Sequence, residues 1–308
     1  MRVIDLNTNE PPARITILSY GAMRAGKSRF AAGFPRPLFL ADATESGWET
    51  IRNMDPALFY EPNRKPEVGA IEKSVDMMKA IDDIEKGLVA QPGRWLTVVI
   101  DSLTFYSDLF FNAVYNAAAS GGRQADVRQC YGQLGNHLRD LRIRIHSLPL
   151  HVVWLALEKS PGEENPFGGP LLSGQASQKF AAGVDYILYH RSFQQGQQGP
   201  QWEIRTRQYG QYKAGGRDEG MLPDPLGFVE DGKLIPECSY RAFAQALGLV
   251  DPLPFIQAQQ AQGKLPLPAP APVVARNTPL PTNGGAKPPT ATAPVARRVV
   301  VPPQGGPR

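Results

Sequence analysis

The sequence predicts an α/β fold in which a mainly parallel sheet is covered on both faces by helices. Apolar runs of five to seven residues alternate with segments of helical periodicity through the first 250 residues. Several of these runs are apolar at nearly every position, the pattern of strands buried on both faces. The first leads into a glycine-bracketed turn with a helical pattern behind it, as a βαβ unit requires.

That first strand is expected over Ile15–Ser19, followed by Gly21-Ala22-Met23-Arg24-Ala25-Gly26-Lys27-Ser28, a full match to G-x-x-x-x-G-K-[ST]. Glycines at both ends let the backbone curl so that its N–H groups converge on phosphate oxygens at the start of a helix. Lys27 is placed to reach the β- and γ-phosphates and the Ser28 hydroxyl to ligate Mg²⁺. The nucleotide-binding segment is therefore read as Gly21 to Arg29.

The next strand, Pro37–Ala41, ends in Asp42, with Glu45 three residues on. Hydrolysis needs a base that orients and deprotonates the attacking water, and a carboxylate here would stand beside the γ-phosphate. Glu45 is the choice because its longer side chain on a loop reaches further. Asp42 is the competitor, and a helix-capping role for Glu45 near Trp48 is the structural alternative.

Met77, Ile81, Ile84 and Leu88 recur at helical spacing, with Gly87 as the expected terminator. A strand over Leu96–Asp101 then carries Val98, Val99 and Ile100 into Asp101. Such a strand holds a carboxylate at the C-terminal edge of the sheet, where it orients Mg²⁺. Val127, Tyr131, Leu134, Leu138, Leu141 and Ile145 mark a longer helix. Strands follow at His151–Leu157 and Val184–Tyr189, and Trp202–Thr206, flanked by glycines, reads as an added antiparallel strand.

The formal charge of +4 needs dividing. From Pro252 onward there are Lys264, Arg276, Lys287, Arg297, Arg298 and Arg308 and no acid; removing them leaves 27 Lys and Arg against 29 acids, a net −2 over residues 1–251. The basic character belongs to the tail, and the rest of the chain carries no bulk signal for nucleic acid. Fourteen of the 57 residues from 252 are proline, so disorder is expected there, with a short helix near Phe255–Gln262. The division is a 1–14 extension, a 15–250 catalytic domain and a 251–308 Pro/Ala-rich basic tail.

Cys130 and Cys238 are the only cysteines and form no C-x-x-C, which argues against a zinc site or disulfide framework. No run has the roughly 18–20 apolar residues of a membrane span, and the N-terminus lacks the pattern of a secretory signal. A cytoplasmic protein is expected. His137, His146, His151 and His190 show no ligand spacing and read as structural.

Together GAMRAGKS, LFLADATESG, TVVIDSLT and HVVWLALEK, in that order, resemble the RecA-like P-loop ATPases over roughly residues 14–230. The likeness is to compact phage nucleotide-binding proteins that include single-strand annealing recombinases. The resemblance implies ATP and Mg²⁺ as cofactors, a homo-oligomeric ring or filament, and single-stranded DNA as partner. It implies that the strand of HVVWLALEK lies between the P-loop and Asp101 strands, with Glu158 at the γ-phosphate-sensing position; pairing of Glu158 with Lys159 is the alternative. It also implies two DNA-facing loops, Ser120–Gln124 with Arg123 and Ser160–Pro170 with Phe167, against the alternative of plain surface loops. Lys213 and Arg217 match the region that supplies cations to a neighbour's γ-phosphate, unless they are merely solvated. The rival function is a nucleotide-dependent assembly or regulatory module acting on a protein partner.

Overall fold

In the computed structural model the described residues are 14–44, 47–62, 64–91, 93–120, 124–163, 166–173, 176–194, 200–217, 220–230, 233–235 and 240–249. Contacts divide the chain into Met1–Pro268, which holds all of these, and Ala269–Arg308. The tail, the Phe255–Gln262 segment, Glu45, Arg123 and Cys238 lie outside the described residues.

The chain runs β1 (Thr16–Gly21), α1 (Lys27–Ala32), β2 (Pro37–Asp42), α2 (Gly47–Arg52), β3 (Glu67–Ile71), α3 (Ser74–Ala90), β4 (Thr97–Asp101), α4 (Leu103–Ala119) and α5 (Val127–Ser147). It continues with β5 (His151–Lys159), β6 (Gly169–Pro170), α6 (Ala176–Ala181), β7 (Tyr186–Gln194), β8 (Pro200–Arg205), β9 (Gly215–Gly216), β10 (Phe228–Glu230), β11 (Lys233–Ile235) and α7 (Tyr240–Leu247). The main sheet has the order β3-β2-β4-β5-β1-β7-β8. Its first six strands are parallel and β8 is antiparallel to β7. β5 therefore lies between β1 and β4, the order the resemblance implied, and the added antiparallel strand is β8.

Alternation along the strands sorts the core into two layers. Leu18, Tyr20, Val98, Ile100, Val152 and Trp154 face α3, α4 and α5. Ile17, Phe39, Val99, Val153, Leu155 and Leu188 face α1 and α7. Burial on both faces explains why β4 and β5 are continuous apolar runs. Each fully buried Leu or Ile side chain contributes about 1.5–3 kcal/mol.

Three local expectations are corrected. Gly87 does not end its helix, because α3 continues to Ala90. A Cβ at Gly87 would stand 2.5 Å from the Trp95 ring, so the glycine makes room for the indole. Val127 and Tyr131 are exposed rather than part of the buried stripe of α5; Cys130 takes the inward position above Leu134. Val184 precedes its strand, which instead runs on to Gln194.

The histidines are structural in a specific way. His151 Nδ1 accepts from the Ile15 backbone N–H at 3.2 Å, and His146 Nε2 accepts from the Trp154 indole N–H at 3.0 Å. His190 Nε2 is hydrogen-bonded to the Ser19 hydroxyl. Burial holds all three neutral, with pKa values down to about 4 for His146 and His151 and about 3 for His190. An unfolded histidine titrates near 6.5. As pH falls below that value the unfolded chain gains protons that the folded chain refuses, so stability is lost from about pH 6.5 down toward 4. The slope reaches about 1.4 kcal/mol per pH unit for each histidine. Urea denaturation at pH 7, 6 and 5 should show the midpoint falling steadily, and His151→Phe should make that fall shallower.

Candidate functional site

β1 delivers the chain into the glycine-rich turn, and α1 begins at Lys27 directly behind it. Gly26, the N-cap of α1, adopts φ +86°, a left-handed conformation that favours glycine. Gly21 is required for another reason: a Cβ there would stand 2.2 Å from the His190 carbonyl oxygen on β7. Arg24 also sits in the left-handed region, at φ +64°, and Met23 at the apex is 70% exposed. Beneath the turn, neutral His190 joins Ser19 of β1 to the backbone of Ala25. Sequence spacing offered no sign of this support, because the two strands meet only through sheet pairing.

Lys27 is buried, and its Nζ donates to the carbonyls of Gly21 at 2.9 Å and Ala22 at 2.7 Å. Ser28 Oγ donates to Asp101 Oδ2 at 2.7 Å. Two motifs 73 residues apart thus meet at the C-terminal ends of β1 and β4. Burial pushes the Asp101 carboxyl up from its ordinary range, against the opposing pull of the Ser28 hydrogen bond and the Lys27 charge. A hydroxyl touching a desolvated carboxylate beside a phosphate loop is a hard oxygen donor pair, the chemistry that Mg²⁺ takes alongside phosphate oxygens and water. Among the described residues no cluster of three His, Cys, Asp or Glu side chains forms a separate metal site.

Asp42 ends β2 beside β4, where Ala41 pairs with Asp101. Its Oδ1 accepts from both the backbone N–H and the hydroxyl of Thr44, at 2.7 and 2.5 Å, closing a local turn. On the far side of Glu45, Gly47 opens α2 so close to Asp101 that a Cβ there would lie 3.6 Å from Oδ2.

Glu158 stands near the end of β5, beside β1. Its Oε2 is buried with no hydrogen-bond partner among the described residues. Tyr189 is hydrogen-bonded to Glu158, and burial first and the Glu158 charge second push the Tyr189 hydroxyl above its usual range. No ion pair joins Glu158 to Lys159 among the described residues, since strand neighbours point to opposite faces.

The distal candidates separate. Lys213 Nζ lies over the Phe167 ring, 5.1 Å from its centroid, so the cation of one predicted feature meets the aromatic of another. The Lys213 backbone carbonyl also accepts from the Tyr20 hydroxyl at 2.7 Å. Arg217, by contrast, is 3.7 Å from Asp185, which binds Thr16 at the start of β1. Lys213 and Arg217 therefore sit toward opposite ends of β1.

One further side chain borders the loop: Trp202 of β8, whose indole N–H donates to the Arg24 carbonyl at 3.2 Å.

No curated protein matches the chain. Among solved structures, a KaiC-like protein from the hyperthermophilic archaeon Pyrococcus horikoshii aligns at 13% identity and a TM-score of 0.39, over 72% of this chain and 89% of that one. Among the described residues no helix is long and apolar enough to cross a membrane. Residues 13–217 match the family described as an AAA domain, and since this span exceeds half the chain, the protein belongs to that family of P-loop ATPases.

Proposed function

We propose that the chain is a Mg²⁺-dependent ATPase whose turnover is coupled to binding single-stranded DNA in phage-type annealing, recombination or replication. The observation that carries the ATPase part is the meeting of Lys27, Ser28 and Asp101 at the C-terminal ends of β1 and β4, the two strands that flank β5. Backbone N–H groups of the Gly21–Ser28 turn, with Arg29 following, bind the phosphates. Lys27 transfers its two hydrogen bonds from the loop carbonyls to the β- and γ-phosphates. Ser28 and Asp101 would hold Mg²⁺, which would supply charge neutralisation at the phosphates. Glu45 serves as the base, and Glu158 reports on the γ-phosphate position.

DNA binding is supported by the contact between exposed Phe167 and Lys213. A base-stacking aromatic beside a cation is what sequence-tolerant single-strand binders use. Arg123 on the other loop and the six tail cations add phosphate contacts. Arg217, and Lys213 when not engaged with Phe167, are the candidates for reaching a neighbouring copy's nucleotide in a ring or filament.

The test is the ATPase rate with and without single-stranded DNA across a salt series. DNA should accelerate turnover at low salt, with the effect decaying as salt rises. Equal rates with and without DNA, and no DNA retention with ATP and Mg²⁺, would leave the second reading: an assembly module acting on a protein partner. The −2 charge over residues 1–251 favours that alternative.

A further inference from the structure

The edge strand β8 presents an aromatic face to the phosphate loop for which the ATPase chemistry gives no use. Its register explains the placement. Gly21 at the end of β1 pairs with His190 of β7, and His190 pairs with Ile204 of β8. Ile204 is buried on the face that carries α1. Trp202 is two residues before it on an antiparallel strand, so it points to the same face one step past the end of β1. That step puts the indole beside the turn: Cδ1 lies 3.6 Å from where a Cβ on Gly26 would stand.

The ring is held, yet it is not buried. Its one donor is committed to the Arg24 carbonyl, and an indole has no acceptor to offer. Trp202 nevertheless remains 44% exposed, and among the described residues β8 is the last strand on that side of the main sheet. What is left for a ligand is a flat apolar surface of fixed orientation at the border of the phosphate site. A nucleotide whose phosphates occupied Gly21–Ser28 would carry its ribose and base out past the turn, and Trp202 is an aromatic wall at the turn's border.

We propose that Trp202 is the base-stacking residue of the nucleotide site, taking the π-face of a nucleoside triphosphate while its N–H braces the loop at Arg24. This inference rests on the nucleotide-binding reading. Stacking reads no hydrogen-bonding edge, so Trp202 contributes affinity for a base in general and little choice between adenine and guanine.

The test is calorimetric titration of the full chain with ATP, GTP and inorganic tripolyphosphate, each with Mg²⁺. Trp202→Ala should weaken both nucleotides by about 5- to 150-fold, the scale of one lost stacking contact. Its affinity for tripolyphosphate should stay within about twofold of the wild type. Trp202→Phe, which keeps a stacking face but loses the N–H, should recover most of the nucleotide affinity. If tripolyphosphate weakens as much as ATP, or if Trp202→Phe behaves like Trp202→Ala, the residue only braces the loop and the proposal is overturned. Unchanged ATP affinity in Trp202→Ala overturns it as well while leaving the ATPase reading intact. A wild-type chain that binds none of the three ligands overturns both.

Discussion

Lys27→Ala should abolish measurable ATP turnover, with a loss of at least about a hundredfold, while the protein remains folded. The size follows from the position. Lys27 is the cation the turn holds directly on its own carbonyls, and removing a preorganised donor from a developing phosphoryl charge costs on the order of 10²–10³ in rate. Folding should survive because the carbonyls of Gly21 and Ala22 belong to a turn whose apex is open to water. Loss of the ammonium also removes the cation placed to reach the β- and γ-phosphates, so ATP should bind the variant more weakly. ATP hydrolysis, nucleotide titration and a thermal melt by circular dichroism check the three parts. Unchanged turnover in Lys27→Ala would remove this turn from the chemistry.

What the sequence made visible were the features encoded within a few consecutive residues. The turn of Gly21–Ser28 is legible because the backbone curl and the side chains it serves are contiguous. β4 and β5 are legible because burial on both faces demands apolar residues at every position. β3 was missed: it is an edge strand of five residues whose alternate positions are open to solvent, so Glu67-Val-Gly-Ala-Ile71 carries little apolar signal. Gly87 misled because the space it leaves is filled by Trp95, a contact outside the helix. The support of the site was hidden for the same reason. His190 reaches Ser19 across 171 positions and Trp202 reaches Arg24 across 178. Both depend on β7 and β8 folding back beside β1, which strand patterns alone do not register.

Glu45→Gln should preserve ATP affinity and cut turnover by roughly 10²–10⁴-fold, the scale of a lost general base. The described residues on either side support choosing this acid over its neighbour. Asp42 has one carboxylate oxygen committed to two hydrogen bonds from Thr44, the partners that fix the turn leaving β2. Deprotonating a water with that carboxylate would compete with the turn. Thr44 closes the turn after β2, and a Cβ on Gly47 would lie 3.6 Å from the Asp101 carboxylate. The amide of Gln keeps nearly the same shape and still accepts a hydrogen bond, but it cannot take the proton. Asp101→Asn should behave differently, raising the Mg²⁺ concentration needed for half-maximal turnover, because its charge acts on the metal rather than on the water. Asp42→Asn keeps an oxygen that can accept both bonds from Thr44, so the turn should hold and turnover should stay within about tenfold of the wild type. Single-turnover hydrolysis across a Mg²⁺ series, with nucleotide affinity measured in parallel, separates the three variants. If Asp42→Asn loses turnover at full ATP affinity while Glu45→Gln does not, the base is Asp42, and the Thr44 turn must open before hydrolysis.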